Sequence, residues 1–372
     1  ILKMIIGCPK EVKVQEYRVG LTPANVQSYV ENGHKVYIET GAGIEIGFSD
    51  EAYQRAGAEI TDKATLFAKT EMIIKVKEPI ESEYNYFREN QILYTYLHLA
   101  ADKPLTEMLL SRKIQAVAYE TIKTSTGLPC LAPMSAIAGR LATLESAKFI
   151  QKTFGGAGVL LSGTAGTPKA KVVILGGGVV GLNAAQIAMG IGADVTILDI
   201  NAERLAYIDQ IFGMQIKTLT SSRGNILNLL PEADVVIGAV LIPGAKAPHL
   251  VRREDLKLMK KGAILVDVAI DQGGCFETST PTTHNDPIFE IDGVIHYCVA
   301  NMPGCVARTS TLGLTDSTLQ YGLKIAALGV KQACLSDPAL LQGLNTYNGK
   351  CTFKGVSDAF GLPYTEAKVA LA

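Results

Sequence analysis

Polar side chains that can carry out chemistry follow short apolar runs at several points of the chain. Arg18 lies in QEYRVG, Lys75 and Lys77 close EMIIKVKEP, His98 follows ILYTYL, and Asp271 follows AILVDVAI. Ligands of open α/β sheets bind beyond the carboxyl ends of the strands, so polar residues just after an apolar strand are candidates for a site. We therefore treat these side chains as candidate site residues.

Four of these residues together supply what the oxidation of a 2-amino or 2-hydroxy acid requires. Arg18 can hold a carboxylate in a bidentate pair, and Lys77 can add charge to that carboxylate or polarise a carbonyl oxygen. His98 can exchange a proton near neutrality, where histidine ordinarily titrates. Asp271 can orient or deprotonate the water that converts an imine to a ketone and ammonia. Taken singly, each also has a structural interpretation: a surface arginine, a solvated lysine, a core histidine and a helix-capping aspartate.

A glycine-rich turn indicates where a dinucleotide binds. KVVILGGGVVGLNAAQIA places Gly176, Gly178 and Gly181 in G-x-G-x-x-G register after an apolar strand and before a helix. Asp199 follows Gly181 by 18 residues, where an acid bonding the adenosine ribose is expected, and this favours NAD over NADP. Arg204 is the opposing signal, because a nearby arginine can accommodate a 2′-phosphate. The structural alternative is a glycine turn with an incidental acid.

The alternation of short apolar runs with helical segments predicts two parallel sheets covered by helices. The strands predicted for the first sheet are residues 4–7, 35–39, 72–76, 92–96 and 116–119, and those for the second are 171–175, 195–199, 215–219, 234–239, 263–268 and 295–299. Thr22 with Pro23 predicts the start of one helix, and Ser49 the start of another. Residues 135–153 are predicted to form one long helix, and residues 317–328 a helix of the C-terminal part.

The predicted fold class is α/β, with two Rossmann-like domains whose parallel sheets are flanked by helices. Residues 1–131 and 308–372 are predicted to form a discontinuous substrate-binding and catalytic domain, and residues 132–307 an inserted NAD-binding Rossmann domain. A chain of 372 residues, 48% apolar and 19% charged, is long enough for two such cores and too apolar to be disordered.

The charge balance points to a small ligand. Thirty-five basic and 36 acidic residues leave a formal net charge of -1, so no sequence-wide field would draw nucleic acid or an anionic membrane. Residues 172–193 form a 22-residue run without a charge, which is the length of a membrane span. Its central glycines, with Asn183 and Gln186, break a lipid-facing helix. The run is therefore predicted to be a buried strand, a phosphate turn and the start of a helix.

The cysteines and the N-terminal residues bear on location. Seven cysteines are scattered without a C-x-x-C pair or a histidine at metal-ligand spacing, which indicates reduced core thiols and no metal site. Gly7 and Pro9 interrupt the short apolar stretch near the N-terminus, so it does not have the pattern of a secretory signal. A cytoplasmic location is predicted.

Several segments resemble one known family. They are GCPKEVKVQEYRVGLTP, KVKEP, YTYLHLAA, LAPMSAIAGRLA, LGGGVVGLNAA, LDIN, VIGAVLIPGAKAP, VDVAIDQGGCFE and YCVANMPGCV. With them the chain resembles the alanine dehydrogenase and pyridine nucleotide transhydrogenase family, over essentially residues 4–372. The resemblance to its alanine dehydrogenases implies reversible oxidative deamination of L-alanine to pyruvate and ammonium with NAD. It also implies a homohexamer of subunits with an active-site cleft between two domains.

The resemblance also assigns roles to residues at matching motifs. It implies that Arg18 and Lys77 bind the substrate carboxylate and carbonyl, and that His98 and Asp271 are the catalytic acid/base groups. The residues that it places along the cofactor are Ser135, Gly176, Gly178, Gly181, Asp199, Arg204, Ser221, Asn301 and Met302.

Two other functions remain open at this point. The first is the NAD-binding subunit of a proton-translocating transhydrogenase, which shares the fold and passes hydride to NADP. The second is a non-enzymatic NAD-responsive regulator, which would need Asp199 and the glycines but not the polar residues at the strand ends.

Overall fold

A computed structural model describes residues 2–242 and 247–372. The chain divides into two compact units, one formed by the residues up to Met134 together with Val306–Ala372, the other by Ser135–Cys305. The boundaries expected from the sequence lie three residues before the first junction and two residues after the second.

The first unit begins with six strands and five helices in alternation. The strands are β1 (Ile5–Cys8), β2 (Lys35–Glu39), β3 (Glu59–Thr61), β4 (Met72–Ile74), β5 (Ile92–Thr95) and β6 (Gln115–Ala118), and the helices are α1 (Pro23–Glu31), α2 (Asp50–Arg55), α3 (Lys63–Lys69), α4 (Glu81–Tyr84) and α5 (Lys103–Ser111). The predicted helix starts are confirmed, because the side chains of Thr22 and Ser49 accept backbone N–H groups at the N-termini of α1 and α2.

The second unit begins within helix α6 (Ala132–Phe149), because its first residue is Ser135. This helix starts three residues before the predicted helix and ends four residues before its predicted end. The unit's other elements are the strands β7 (Lys171–Leu175), β8 (Asp194–Asp199), β9 (Lys217–Thr220), β10 (Val235–Gly238), β11 (Ile264–Asp267), β12 (Ile288–Ile291) and β13 (Val294–Tyr297), and the helices α7 (Val179–Gly190), α8 (Ala202–Phe212) and α9 (Arg223–Leu229).

The C-terminal part belongs to the first unit. It consists of α10 (Ala307–Ser336), which is interrupted by non-helical dihedral angles at Gly329, α11 (Pro338–Gly343), β14 (Leu344–Tyr347), β15 (Lys350–Cys351), α12 (Lys354–Phe360) and α13 (Ala367–Ala370). Strand β14 pairs antiparallel with β6, so this part extends the first sheet.

Both sheets place six parallel strands in the same order. The first runs β15-β14-β6-β5-β4-β1-β2-β3 and the second β12-β13-β11-β10-β7-β8-β9. In each, the six parallel strands follow the 3-2-1-4-5-6 order of a Rossmann fold, whose ligands bind where the order reverses. That switch point lies between β1 and β4 in the first unit and between β7 and β10 in the second. The predicted α/β class with two parallel sheets flanked by helices is confirmed.

All eleven predicted strands are present, and the described part of the chain has four more that the sequence did not predict, β3, β12, β14 and β15. The uncharged run at residues 172–193 is strand β7, the glycine turn and helix α7, as predicted. Among the described helices, none has the length and apolarity to cross a membrane. The prediction of core thiols is wrong for Cys305, which is exposed, whereas the other six cysteines are buried, and all seven are free.

Candidate functional site

Three of the candidate residues follow neighbouring strands at the switch point of the first sheet. Arg18 lies in the loop after β1, Lys77 after β4 and His98 after β5, and these strands are adjacent in the order β5-β4-β1. The loop that carries Arg18 lies close to the end of β4, because a Cβ built on Gly20 would be 3.0 Å from the carbonyl oxygen of Ile74. The sheet therefore gathers these side chains at one edge.

Arg18 is buried and paired, so it is not the surface arginine of the structural interpretation. Its Nε and Nη2 donate to the two carboxylate oxygens of Glu16 at 2.9 and 2.6 Å, and its Nη1 lies 3.4 Å from Sδ of Met134. Burial lowers the pKa of Arg18, but the hydrogen bonds and charge of Glu16 outweigh burial and raise it. The pair holds the guanidinium plane in one orientation.

The buried carboxylate of Glu16 is stabilised by the positive charges of Arg18 and Lys77. Burial raises the pKa of its carboxyl, but the hydrogen bonds and charge of Arg18, with the charge of Lys77, hold that pKa below its ordinary value. Lys77 is partly exposed, and its backbone N–H donates to Oε1 of Glu11 at 2.5 Å. We call Arg18 and Lys77, whose charges both lower the pKa of this buried carboxyl, the cationic group. Sequence reasoning missed Glu16.

Lys75 has a structural role. Its Nζ lies 2.5 Å from Oε2 of Glu11 and 3.1 Å from Oε2 of Glu83, and its side chain is 1% exposed. Burial lowers the pKa of Lys75, but the two carboxylates outweigh it and raise that pKa. Lys75 is thus fully engaged in a buried cluster of ion pairs. Of the two lysines that follow β4, Lys77 is the one available to a ligand.

His98 is exposed, which rules out the interpretation as a core histidine. Its backbone has φ 48° and ψ 44°, in the left-handed region. Its ring stacks near that of Tyr96 with centroids 6.5 Å apart, and the Tyr96 hydroxyl donates to the carbonyl of Cys130 at 2.5 Å. The imidazole is thus exposed at the end of β5, the strand next to β4, which Lys77 follows.

The glycine turn of the second unit has a distinct requirement at each glycine. Gly176 has φ 107°, and a Cβ on Gly181 would lie 1.7 Å from the Gly176 carbonyl oxygen. Gly178 is the N-cap of α7 and is exposed. Among the described residues, no side chain caps the helix there, and a Cβ on Gly178 would have no neighbour within 4 Å. Open space over an uncapped N-terminus of a twelve-residue helix fits a phosphate group.

Asp199 ends β8 and supports the glycine turn. Its Oδ2 accepts the N–H of Gly177 and its Oδ1 accepts the N–H of Asn201, both at 2.8 Å. Arg204 donates from Nε to the Gly177 carbonyl and stacks on the Tyr207 ring at 5.0 Å. Asp199 and Arg204 therefore fix the backbone of Gly177. The sequence did not single out this glycine, although it lies inside the motif.

The remaining cofactor candidates belong to the same unit. The Ser221 N–H donates to the Asp199 carbonyl at 2.9 Å, at the end of β9. Asn301 and Met302 follow β13, where the Asn301 carbonyl lies 2.7 Å from Nε2 of His284 and Met302 is buried. Ser135 lies in the first turns of α6 and is partly exposed.

Helix α6 packs against α7 through a second close approach. A Cβ on Gly139 would lie 2.2 Å from the Val180 carbonyl oxygen, so this glycine permits the contact. Arg140 donates to the side chains of Asn183 and Gln186. These contacts explain the two polar residues inside the uncharged run.

Asp271 is exposed and lies in a short 3-10 turn, Ile270–Gln272, after β11. The loop that carries it is held by Asp267, a buried carboxylate at the end of the same strand. Asp267 accepts hydrogen bonds from the backbone N–H groups of Ala269, Cys275 and Phe276 and from the Ser279 hydroxyl. Burial raises the pKa of Asp267 although these donors oppose it. Sequence reasoning missed this anchor.

The candidates are thus divided between the units. Arg18, Lys77 and His98 belong to the first, while Asp271 and the cofactor candidates belong to the second. In the part of the chain that the structure describes, no cluster of His, Cys, Asp or Glu side chains is arranged to hold a metal ion. Residues 243–246, part of VIGAVLIPGAKAP, lie outside the described residues.

Comparisons with known proteins cover nearly the whole chain. Residues 7–138 match the family model described as "Alanine dehydrogenase/PNT, N-terminal domain", and residues 142–354 match the model of its C-terminal domain. The alanine dehydrogenase of Methanococcus maripaludis is 56% identical over 371 residues, which cover 99% of this chain and 100% of that relative.

Solved structures agree. An L-alanine dehydrogenase is 48% identical with a TM-score of 0.93, covering 96% of this chain and 99% of its own. A transhydrogenase from Sinorhizobium meliloti, 23% identical with a TM-score of 0.80 over 94% of this chain and 99% of its own, shares the fold. The chain therefore belongs to the alanine dehydrogenase/pyridine nucleotide transhydrogenase (PNT) family.

Proposed function

We propose that the protein catalyses the reversible oxidative deamination of L-alanine with NAD. Written in balance, L-alanine, NAD⁺ and water give pyruvate, ammonium, NADH and a proton. The observation that carries the proposal is the cationic group of Arg18 and Lys77 at the switch point of the first sheet, with exposed His98 on the next strand. The high identity to alanine dehydrogenases over the full chain supports the same substrate.

In the proposed mechanism the first unit holds the amino acid. Arg18, whose plane is fixed by Glu16, and Lys77 bind the carboxylate, so the Cα–H is held in one direction. Once water has added to the imine carbon, His98 takes the proton of the resulting carbinolamine hydroxyl as ammonia leaves, and in the reverse direction it returns that proton to the carbonyl oxygen. Positioned proton transfer of this kind contributes roughly 10²- to 10⁴-fold in rate.

Asp271 acts on water. Its carboxylate orients or deprotonates the water that adds to the imine carbon, and ammonia then leaves as pyruvate forms. A nicotinamide cofactor supplies the hydride acceptor when it is bound. Its phosphates would rest on the α7 N-terminus over Gly178, with Ser135, Gly176, Gly181, Ser221, Asn301 and Met302 completing the cofactor site.

We propose NAD rather than NADP because Asp199, partly exposed at the end of β8, would repel a 2′-phosphate. Arg204 is engaged with the Gly177 carbonyl, which lessens its use for that phosphate. Alanine oxidation with each cofactor, in the wild type and in Asp199→Ala, tests this. Equal kcat/KM for both cofactors in the wild type would refute the assignment.

The direct test is to mix the purified chain with L-alanine and NAD at mildly alkaline pH and follow NADH absorbance and pyruvate. We expect alanine-dependent NADH formation that falls roughly 10²- to 10⁴-fold to a residual rate in His98→Ala, while NADH binding stays near normal. Hydride exchange to NADP without alanine turnover would support the transhydrogenase function instead. No reaction with either would support a regulator.

We further propose, on the family resemblance alone, a cytoplasmic homohexamer. Sedimentation equilibrium of the purified chain tests the assembly, and a mass other than six chains would refute it. Fractionation of the source cells tests the location.

A further inference from the structure

His98 has a backbone conformation that is unusual for a residue with a side chain. Its φ of 48° and ψ of 44° lie in the left-handed region, which is uncommon for residues other than glycine and concentrates at functional sites. Its neighbours Leu97 and Leu99 are buried, at 0% and 1% exposure, while His98 is exposed. The turn therefore decides that the imidazole, and not a leucine, faces outward.

The backbone of this turn lies beyond the hydrogen-bond ladder of the sheet. The Tyr96 N–H donates to the Val76 carbonyl at 3.2 Å as the chain leaves β5. Beyond it, the N–H of Leu97 donates to both carboxylate oxygens of Glu120 at 3.2 Å, and the N–H of His98 donates to Oε1 at 2.8 Å. An ionised carboxylate is a strong acceptor for such N–H groups.

Glu120 is itself held in place by the sheet. It lies in the 3-10 turn Tyr119–Thr121 that directly follows β6, and β6 pairs in parallel with β5. Tyr119 is fully buried, and its ring packs edge-on against Tyr94 at 4.5 Å and Tyr96 at 5.0 Å. The Glu120 carboxylate thus links the end of β6 to the turn at His98 that follows β5.

We infer that Glu120 is a positioning residue for His98, whose left-handed turn it holds by accepting the N–H groups of Leu97 and His98. It acts through the backbone and not by touching the substrate. This inference rests on the proposed function, in which His98 transfers the proton, and adds the residue that sets the geometry of that transfer.

Two substitutions of Glu120 separate the acceptor from its surroundings. Glu120→Ala removes both acceptors, and we expect kcat for alanine oxidation to fall about tenfold to hundredfold, with the Kd of NADH unchanged. Glu120→Gln keeps one carbonyl oxygen, which can occupy the shared Oε1 position, and should restore kcat to within about threefold of wild type. Glu107→Ala, an exposed glutamate of α5, is the matched control and should leave kcat unchanged. A wild-type kcat in Glu120→Ala would overturn the inference.

A double-mutant cycle tests whether the effect passes through His98. In the His98→Ala background, Glu120→Ala should lower kcat no further, because the residue that it positions is already gone. An equal fold loss in both backgrounds would mean a general structural role and would overturn the inference.

Amide hydrogen exchange tests the positioning without turnover. Exchange at Leu97 and His98 should accelerate in Glu120→Ala and stay near wild type in Glu120→Gln. Unchanged protection in Glu120→Ala would overturn the inference, even if the wild type did not oxidise alanine. Absent alanine oxidation with the expected exchange pattern would instead refute the proposed function alone.

Discussion

Gly178→Ala should weaken NADH binding while leaving the protein folded. Gly178 has φ -73° and ψ -161°, which alanine adopts without strain, and its added methyl would meet no atom of the described residues within 4 Å. Alanine is a poorer N-cap than glycine by up to roughly 1 kcal/mol. It also lowers the conformational entropy of the unfolded chain, which stabilises the folded protein by about 0.4–1 kcal/mol. The free energy of unfolding should therefore change by less than about 1 kcal/mol.

The same methyl occupies the space that the cofactor phosphates need over the α7 N-terminus. Displacing the phosphate from one backbone N–H removes a hydrogen bond to a charged group, worth about 1.5–3 kcal/mol. That loss corresponds to an increase in the Kd of NADH of roughly 10- to 100-fold. Fluorescence titration with NADH measures the affinity, and urea unfolding measures the stability.

Gly190→Ala is the matched control on the same helix. Gly190 is the last residue of α7, and a Cβ there also has no neighbour within 4 Å. Replacing a helical glycine by alanine should stabilise the protein by about 0.5–1 kcal/mol and leave the Kd of NADH unchanged. A folded Gly178→Ala variant with wild-type NADH affinity would refute the placement of the phosphates over this glycine.

Three further predictions concern buried ionisable groups. Lys75→Met leaves the carboxylates of Glu11 and Glu83 buried without their cation, so urea unfolding should show a loss of about 3–5 kcal/mol in the free energy of unfolding. The control Lys354→Met breaks an exposed pair with Asp358 and should leave stability near wild type. Equal losses in the two variants would contradict the structural role of Lys75. Burial lowers the pKa of His296, although the Val294 carbonyl opposes it, so the unfolded state binds more protons and stability should decline as pH falls below about 6.5. The stability-pH curves of the wild type and of His296→Gln test this, with exposed His249→Gln as control, and an identical acid decline in all three would count against it. Asp267→Asn places an amide against the N–H donors of the Asp271 loop, so it should cost about 1–3 kcal/mol and lower kcat while NADH affinity is retained; an unchanged kcat would show that the loop does not position Asp271.

Much of the fold was accessible from the sequence because its signals are local. Short apolar runs between turn and helix signals, together with the glycine spacing, predicted the order of the elements in both units. The missed strands β3, β12, β14 and β15 have the sequences EIT, IFEI, LNTY and KC, in which charged, Asn or Thr side chains interrupt the apolar run. These strands form because they pair with a neighbouring strand, and a local sequence pattern does not show that pairing.

The candidate site divides in the same way. The glycine register at Gly176, Gly178 and Gly181 is readable in the chain, because a positive φ and a close helix contact are demands on single positions. The sequence also marks the polar residues after the strands, since a parallel sheet brings their carboxyl ends to one edge.

What the sequence left undecided is which of these polar residues is free to act. Lys75 and Lys77 are two residues apart, yet only Lys75 is enclosed by Glu11 and Glu83, from segments 64 and 8 residues away. Arg18 is fixed by Glu16, and the turn at His98 depends on Glu120, which lies 22 residues further along the chain. Charge pairing and backbone capping of this kind are settled by distances in the folded chain, so only the tertiary structure separates the groups that support the site from those that can meet a substrate.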